Sequence, residues 1–149
     1  MKTKWVVLLL LALCGFLVVL YLGIPAPGIL NHAYTGVVAN IIEDGGSRSV
    51  SNVELAPETA ANVLAAIQSH RYARRFPDGR AMSPGPVRML ILSLVYEEAG
   101  AEKHDLFAIN SAGAITIDAV STSGGYRFLP RNEKAQQQLF QIIYNAIPK

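Results

Sequence analysis

Cys14 is the only cysteine in 149 residues, which excludes an internal disulfide, so any exported part of this chain must be held by a packed core. Chemical motifs are as scarce. The sequence has no Gly-rich phosphate loop, no Cys pair, no His-Glu-x-x-His and no Gly-x-Ser-x-Gly, and so lacks the common signatures of nucleotide-binding proteins, zinc proteases and α/β-hydrolases. His32, His70 and His104 lie far apart. His104 adjoins Asp105, but neighbouring side chains on a strand point to opposite faces. Glu97 and Glu98 read as solubilising carboxylates of a turn. No catalytic, cofactor-binding or metal-ligating residue and no cofactor is assigned, and the expectation leans away from an enzyme. A surplus of one charge is missing too. Lys2 and Lys4 account for two of the thirteen Lys and Arg, leaving eleven from Pro25 onward against eleven Asp and Glu. That balance argues against a nucleic-acid partner.

What the chain does have is an uncharged run from Trp5 to Ile24, introduced by Lys2 and Lys4. At about 1.5 Å per helical residue it reaches roughly 30 Å, the thickness of a bilayer hydrocarbon core. Three readings compete: an uncleaved single-pass anchor, a cleaved signal peptide, and a lipoprotein signal ending at Cys14. The stretch exceeds the usual apolar length of a signal peptide, about 7–15 residues, although Ala26 offers a cleavage site and hence a secreted alternative. Leu13 spoils the lipobox, because a small residue belongs before a lipidated cysteine. The anchor is preferred, with Lys2 and Lys4 keeping the N-terminus in the cytoplasm and the rest outside the cell membrane. Residues 1–24 are then the signal-anchor, 25–33 a Pro/Gly-containing hinge, and 34–149 one extracytoplasmic domain.

Within that domain, Tyr34–Glu43 is rich in β-branched residues and ends at Asp44-Gly45-Gly46, a strand followed by a turn. Arg48–Leu55 alternates weakly and pairs back as a hairpin or stays a loop. Pro57 and Glu58 suit a helix start, and Ala60, Val63, Leu64 and Ile67 give an apolar stripe in a helix read as continuing to about Arg75. A Pro/Gly-rich connector, Phe76 to Pro86, follows. Val87–Tyr96 is apolar on both faces and reads as a central strand. Glu97 to Lys103 reads as a turn. Asp105–Asn110 and Ala114–Ala119 form a hairpin with Phe107, Ile109, Ile115 and Ile117 on its buried face. A short strand, Tyr126–Leu129, precedes a helix capped by Asn132, with Leu139, Ile142, Ile143 and Ala146 as its stripe. The order β-(β)-α-β-β-β-(β)-α predicts an α+β domain: an antiparallel sheet of 3–5 strands with two helices on one face and the other face solvated or bound to something.

One constellation is worth testing for binding. Arg71, Arg74 and Arg75 close the expected helix, with Arg71 and Arg75 at i and i+4, and Arg80 follows in the connector. Guanidinium forks suit phosphate and carboxylate groups, so these residues are anion-contact candidates for lipid headgroups or an anionic envelope polymer. The competing explanation is that cations collect at a helix C-terminus to complement its dipole.

The opening strand before Asp44-Gly45, the Val53-Glu54-Leu55 lead into the helix, that helix's basic end, the meander through Leu106 to Ile117, and Gly125-Tyr126-Arg127 together carry a resemblance. The segment Ala39–Ile147 is similar to a family of small extracytoplasmic domains of unknown function in membrane-anchored proteins and lipoproteins of Gram-positive bacteria. The resemblance implies a β-α-β-β-β-α sandwich and supplies no site residues. The long connector and the absence of a lipobox depart from its pattern. The expected function is an uncharacterised membrane-anchored binding module that meets a protein, peptide or anionic polymer outside the cell; the alternative is an envelope enzyme whose site the sequence does not display.

Overall fold

The computed structural model describes residues 2–43, 48–75, 87–119 and 122–148. The Asp44-Gly45-Gly46 turn, the connector Phe76 to Pro86 and Arg80 within it lie outside them. Helix α1, Lys2–Leu22, is long and apolar enough to be a membrane anchor or a signal sequence, and its side chains from Trp5 to Val19 are exposed. The chain then continues as β1 (Ile24–Pro25), β2 (Tyr34–Glu43), β3 (Arg48–Glu54), α2 (Pro57–Gln68), β4 (Tyr72–Arg74), β5 (Met89–Glu98), β6 (Ala101–Asn110), β7 (Ile115–Ala119), β8 (Thr122–Phe128) and α3 (Glu133–Ala146). The class is α+β.

All strands join one antiparallel sheet in the order β1-β4-β8-β7-β6-β5-β2-β3. Strands β5 to β8 form the expected meander, with β2 added beside β5. Because β3 and β4 lie near opposite edges, α2 carries the chain across one face between them. Even-numbered residues of β5 point to that face. Leu90, Leu92 and Leu94 are wholly buried there with Phe107, Ile109, Ile115 and Ile117. The stripes of α2 (Ala60, Val63, Leu64, Ile67) and α3 (Leu139, Phe140, Ile143) close over them in a single core. Ile142, expected in the α3 stripe, is instead 55% exposed; Phe140 takes the inward position.

Eight strands replace the 3–5 expected, for two reasons. The first is that β1 and β4 are too short to show a period in sequence, and each is ordered by its neighbour. Ile24 and Pro25 pair with Arg74 and Ala73, and Tyr72–Arg74 pairs with Tyr126–Phe128. The segment read as a hinge is therefore tied down at its start: Ala26 N donates to Tyr72 O at 3.0 Å, and Leu30 is buried in the core. The second is the early end of α2. The Ser69 hydroxyl bonds back to Ala66 O, and Tyr72 leaves the helical path to bury its ring against Phe107 and Phe128, its hydroxyl donating to Ile67 O at 2.7 Å. Burying that ring outweighs another helical turn rich in charged residues.

The expected turn Glu97 to Lys103 contracts to Ala99 and Gly100, both with positive φ (54° and 76°). A two-residue turn with this twist lets β5 and β6 pair out to Glu98 and Ala101. Substituting Leu92→Ala, at the centre of the sheet, should cost about 2–5 kcal/mol of stability, read by urea denaturation of the protein. A loss well under 1 kcal/mol would contradict the placement of Leu92 in a close-packed core.

Candidate functional site

Register decides which side chains meet on the face opposite α2 and α3, where no helix among the described residues covers β2, β5, β6 and β7. Val38, Ser93, Leu106 and Asp118 form one row across β2, β5, β6 and β7. Asn40, Ile91, Ala108 and Thr116 form the next, with Ile42 and Met89 beyond and Val95 opposite His104 on the other side. The open face is mixed: Val38, Ile42, Met89, Ile91 and Val95 are half-buried and Leu106 is 41% exposed, with Asn40, Ser93, His104 and Thr116 set among them. Its border is acidic. Glu54 lies opposite Val38, Glu97 opposite Glu102, and Asp118 ends the Leu106 row; all four carboxylates are exposed.

On this face Ser93 Oγ lies 3.2 Å from His104 Nδ1, and His104 Nε2 lies 3.4 Å from Glu102 Oε1. The order hydroxyl, imidazole, carboxylate has the form of an activated nucleophile. Acyl transfer also needs N–H donors aimed at the developing oxyanion. Ser93 sits mid-strand, paired on one side with β2 and on the other with β6, so the neighbouring N–H groups are engaged in the ladder. Nothing in the local pattern hints at this trio, which joins residues of two strands only through their register. Asp105, next to His104, faces the other way into the core, as strand alternation requires.

Asp105 is 1% exposed. Tyr34 Oη donates to its Oδ2 at 2.6 Å, while Asp105 Oδ1 and Tyr96 Oη are buried without a hydrogen-bond partner among the described residues. The His32 ring packs 4.0 Å from that of Tyr96. Burial, then the hydrogen bond to Asp105 and its charge, push the Tyr34 phenol far above its ordinary pKa of 10; burial and Asp105 push Tyr96 upward too. Both phenols therefore stay protonated, and Tyr34, the one that donates to Asp105, ties β2 to β6 across β5. Removing its hydroxyl leaves the Asp105 carboxylate less compensated, so Tyr34→Phe should cost about 1–3 kcal/mol in chemical denaturation; an unchanged midpoint would show that this bond is idle.

The basic constellation does not assemble as the sequence suggested. With α2 ending at Gln68, Arg71 and Arg75 flank an extended strand, where four residues span about 13 Å rather than the roughly 6 Å of neighbouring helical positions. Arg71 lines a groove of about 380 Å³ with Pro25, His70 and Leu129. Arg74 Nη2 donates to Ser123 O at 3.3 Å. Only Arg75 reaches a site with other cations, a cleft of about 270 Å³ lined also by Arg127, Arg131, Glu133 and Gln136.

Arg127 is 8% exposed. Its Nη2 donates to Leu20 O in the last turn of α1 at 3.0 Å, satisfying one of the carbonyls that every helix leaves open at its C-terminus. Beside it, Gly23 approaches the sheet so closely that an added Cβ would lie 2.6 Å from Arg74 O and 3.1 Å from Arg127 Nε, at a φ of +81° that favours glycine. Arg127 and Leu20 lie 107 positions apart, so no local stretch of sequence shows the contact.

Among the described residues no three His, Cys, Asp or Glu side chains gather as a metal set. No protein-family model, curated protein or solved structure matches the chain, so functional argument rests on its own geometry.

His70 stacks on Phe128, ring centroids 3.9 Å apart, and burial pushes its imidazole below the ordinary 6.5. The unfolded chain then binds the proton first, so stability is complete above about pH 6.5 and falls as pH drops toward the folded value. His70→Gln should flatten the stability profile below about pH 6.5, measured by thermal melts; an identical slope in the variant would remove His70 as the cause.

Proposed function

We propose that the protein is a single-pass, membrane-anchored binding module, N-terminus cytoplasmic and sheet domain outside, that engages a polypeptide through the open face of its sheet. Lys2 and Lys4 before the apolar run support this orientation. The observation that carries the reading is the open face itself: apolar side chains of β2, β5 and β6 interleaved with Ser93 and His104, with Leu106 exposed and, among the described residues, no helix over these strands. Apolar patches of this kind, rimmed by polar groups, mark contact surfaces. The rim fixes the partner's chemistry. Glu54, Glu97, Glu102 and Asp118 favour a protein segment with an apolar centre and Lys or Arg on its flanks.

A photo-crosslinking residue placed at Leu106 in the full chain, in its native membrane, should yield a discrete protein adduct, whereas one at Gln138 on the exposed side of α3 should not. Charge reversal by Glu102→Lys with Asp118→Lys should weaken the Leu106 adduct about tenfold. Equal adducts at both positions, or indifference to the reversal, would defeat the proposal.

The enzyme alternative rests on Ser93, His104 and Glu102. A fluorophosphonate probe should leave Ser93 unlabelled, given the absence of free oxyanion donors beside it. Stoichiometric labelling lost in Ser93→Ala and His104→Ala would replace the binding reading with a hydrolase.

A further inference from the structure

Positive charge gathers in the cleft between the β4–β8 edge and the start of α3. Three guanidinium groups border it: Arg75 from the end of β4, Arg127 from β8 and Arg131 from the turn before α3. One carboxylate, Glu133, sits among them and is bonded by Arg131, so the formal balance is three positive charges against one negative. The backbone holds these residues in place. Arg75 N donates to Gly125 O at 2.9 Å. Gln136 bridges the floor, accepting from Phe128 N at 3.1 Å and donating to Gly113 O at 2.5 Å. The Glu133 carboxyl is held below its ordinary range by the Arg131 hydrogen bond and charge, with Arg75 and Arg127 adding to the effect, so all three cations act on the same spot.

The position of the cleft gives it a meaning. Arg127 simultaneously bonds Leu20 O at the end of α1, which puts the cleft beside the last turn of the apolar helix. If α1 spans a bilayer, that turn lies where the hydrocarbon gives way to phosphates. Arginine forks bind phosphate oxygens in pairs, and a headgroup there needs no diffusion in bulk water to arrive.

We infer that this cleft seats the phosphate of an anionic phospholipid headgroup in the outer leaflet, held by Arg75 and Arg131 with Arg127 behind them. Glu133 competes for the same guanidinium groups and sets the affinity. The lipid would then fix the height and rotation of the domain over the bilayer, and with them the direction in which the open face looks. This inference rests on the anchor reading but is independent of the polypeptide partner.

Native mass spectrometry of the full chain, released from nanodiscs holding equal phosphatidylglycerol and phosphatidylcholine, tests both layers at once. The intact mass reports whether α1 is retained, and the adducts report the cleft. Retention of about tenfold more phosphatidylglycerol is expected, falling to roughly twofold in Arg75→Ala/Arg131→Ala, whose side chains are exposed. Glu133→Gln should raise the preference. An intact chain with no preference, or a preference untouched by the double substitution, overturns the cleft alone. A chain purified without its first residues overturns the anchor and the cleft together. Displacement of the lipid by inorganic phosphate at low millimolar concentration would mean that a soluble phosphoanion is the occupant, and would overturn the lipid assignment.

Discussion

The attachment of the apolar helix to the sheet depends on the close approach of Gly23 to the β4–β8 edge. A glycine with positive φ turns the chain out of α1, and with no Cβ it lets the backbone run against Arg74 O and Arg127. From there Ile24 and Pro25 fall into register with Arg74 and Ala73. Arg127, almost wholly buried at this point, donates to Leu20 O. A hydrogen bond from a charged group is worth about 1.5–3 kcal/mol, and here it also closes a helix end where the dipole favours a cation. The apolar helix is thus joined to the sheet by a strand and a buried arginine, and its direction is set by the domain.

The sheet turns this attachment into a division of labour between its faces. One face is used up by stability: α2 and α3 bring their stripes over Leu90, Leu92, Leu94 and the β6–β7 hydrophobes, and Tyr34 locks β2 to Asp105 at the end of that layer. The other has no helix over β2, β5 and β6 among the described residues, and along β5 it carries Met89, Ile91 and Val95 beside Ser93 and Glu97. Leaving those apolar side chains half against water costs about 25 cal/mol per Å², which supports the proposed contact surface. The acidic border and the arginine cleft at the opposite edge give the face a polarity, negative toward β3 and β6, positive toward the helix junction.

Much of the fold was legible in the sequence because its main elements carry strong periods. The two-sided apolar run of β5, the β6–β7 hairpin hydrophobes and the Asn132 cap of α3, where Asn132 Oδ1 accepts from Ala135 N, all stand where the pattern put them. The elements that escaped, β1 and β4, are two and three residues long and exist only because a partner strand pairs with them. The same cause hid the functional geometry. Arg71 and Arg75 looked like one helical face because the stripe ending at Ile67 gave no sign that Tyr72 would be drawn into the core. Arg127 and Arg131 looked unrelated to them because the cleft is assembled by strand pairing across about fifty residues. Ser93 and His104 met through register alone. Composition and periodicity reveal an apolar N-terminal helix and a fold class; the sites arise from contacts that no local window contains.

The Arg127–Leu20 bond and the pairing of Ile24 and Pro25 with β4 tie the end of α1 to the sheet, and a helix so tied should hold one direction relative to the open face. A double electron–electron resonance distance between spin labels at Leu11 in α1 and Asn145 in α3, in a Cys14→Ser background and with the full chain in nanodiscs, measures it directly. The account predicts a single narrow distance distribution, as for two sites on one body. A broad distribution, such as a free Pro/Gly hinge would produce, would contradict it.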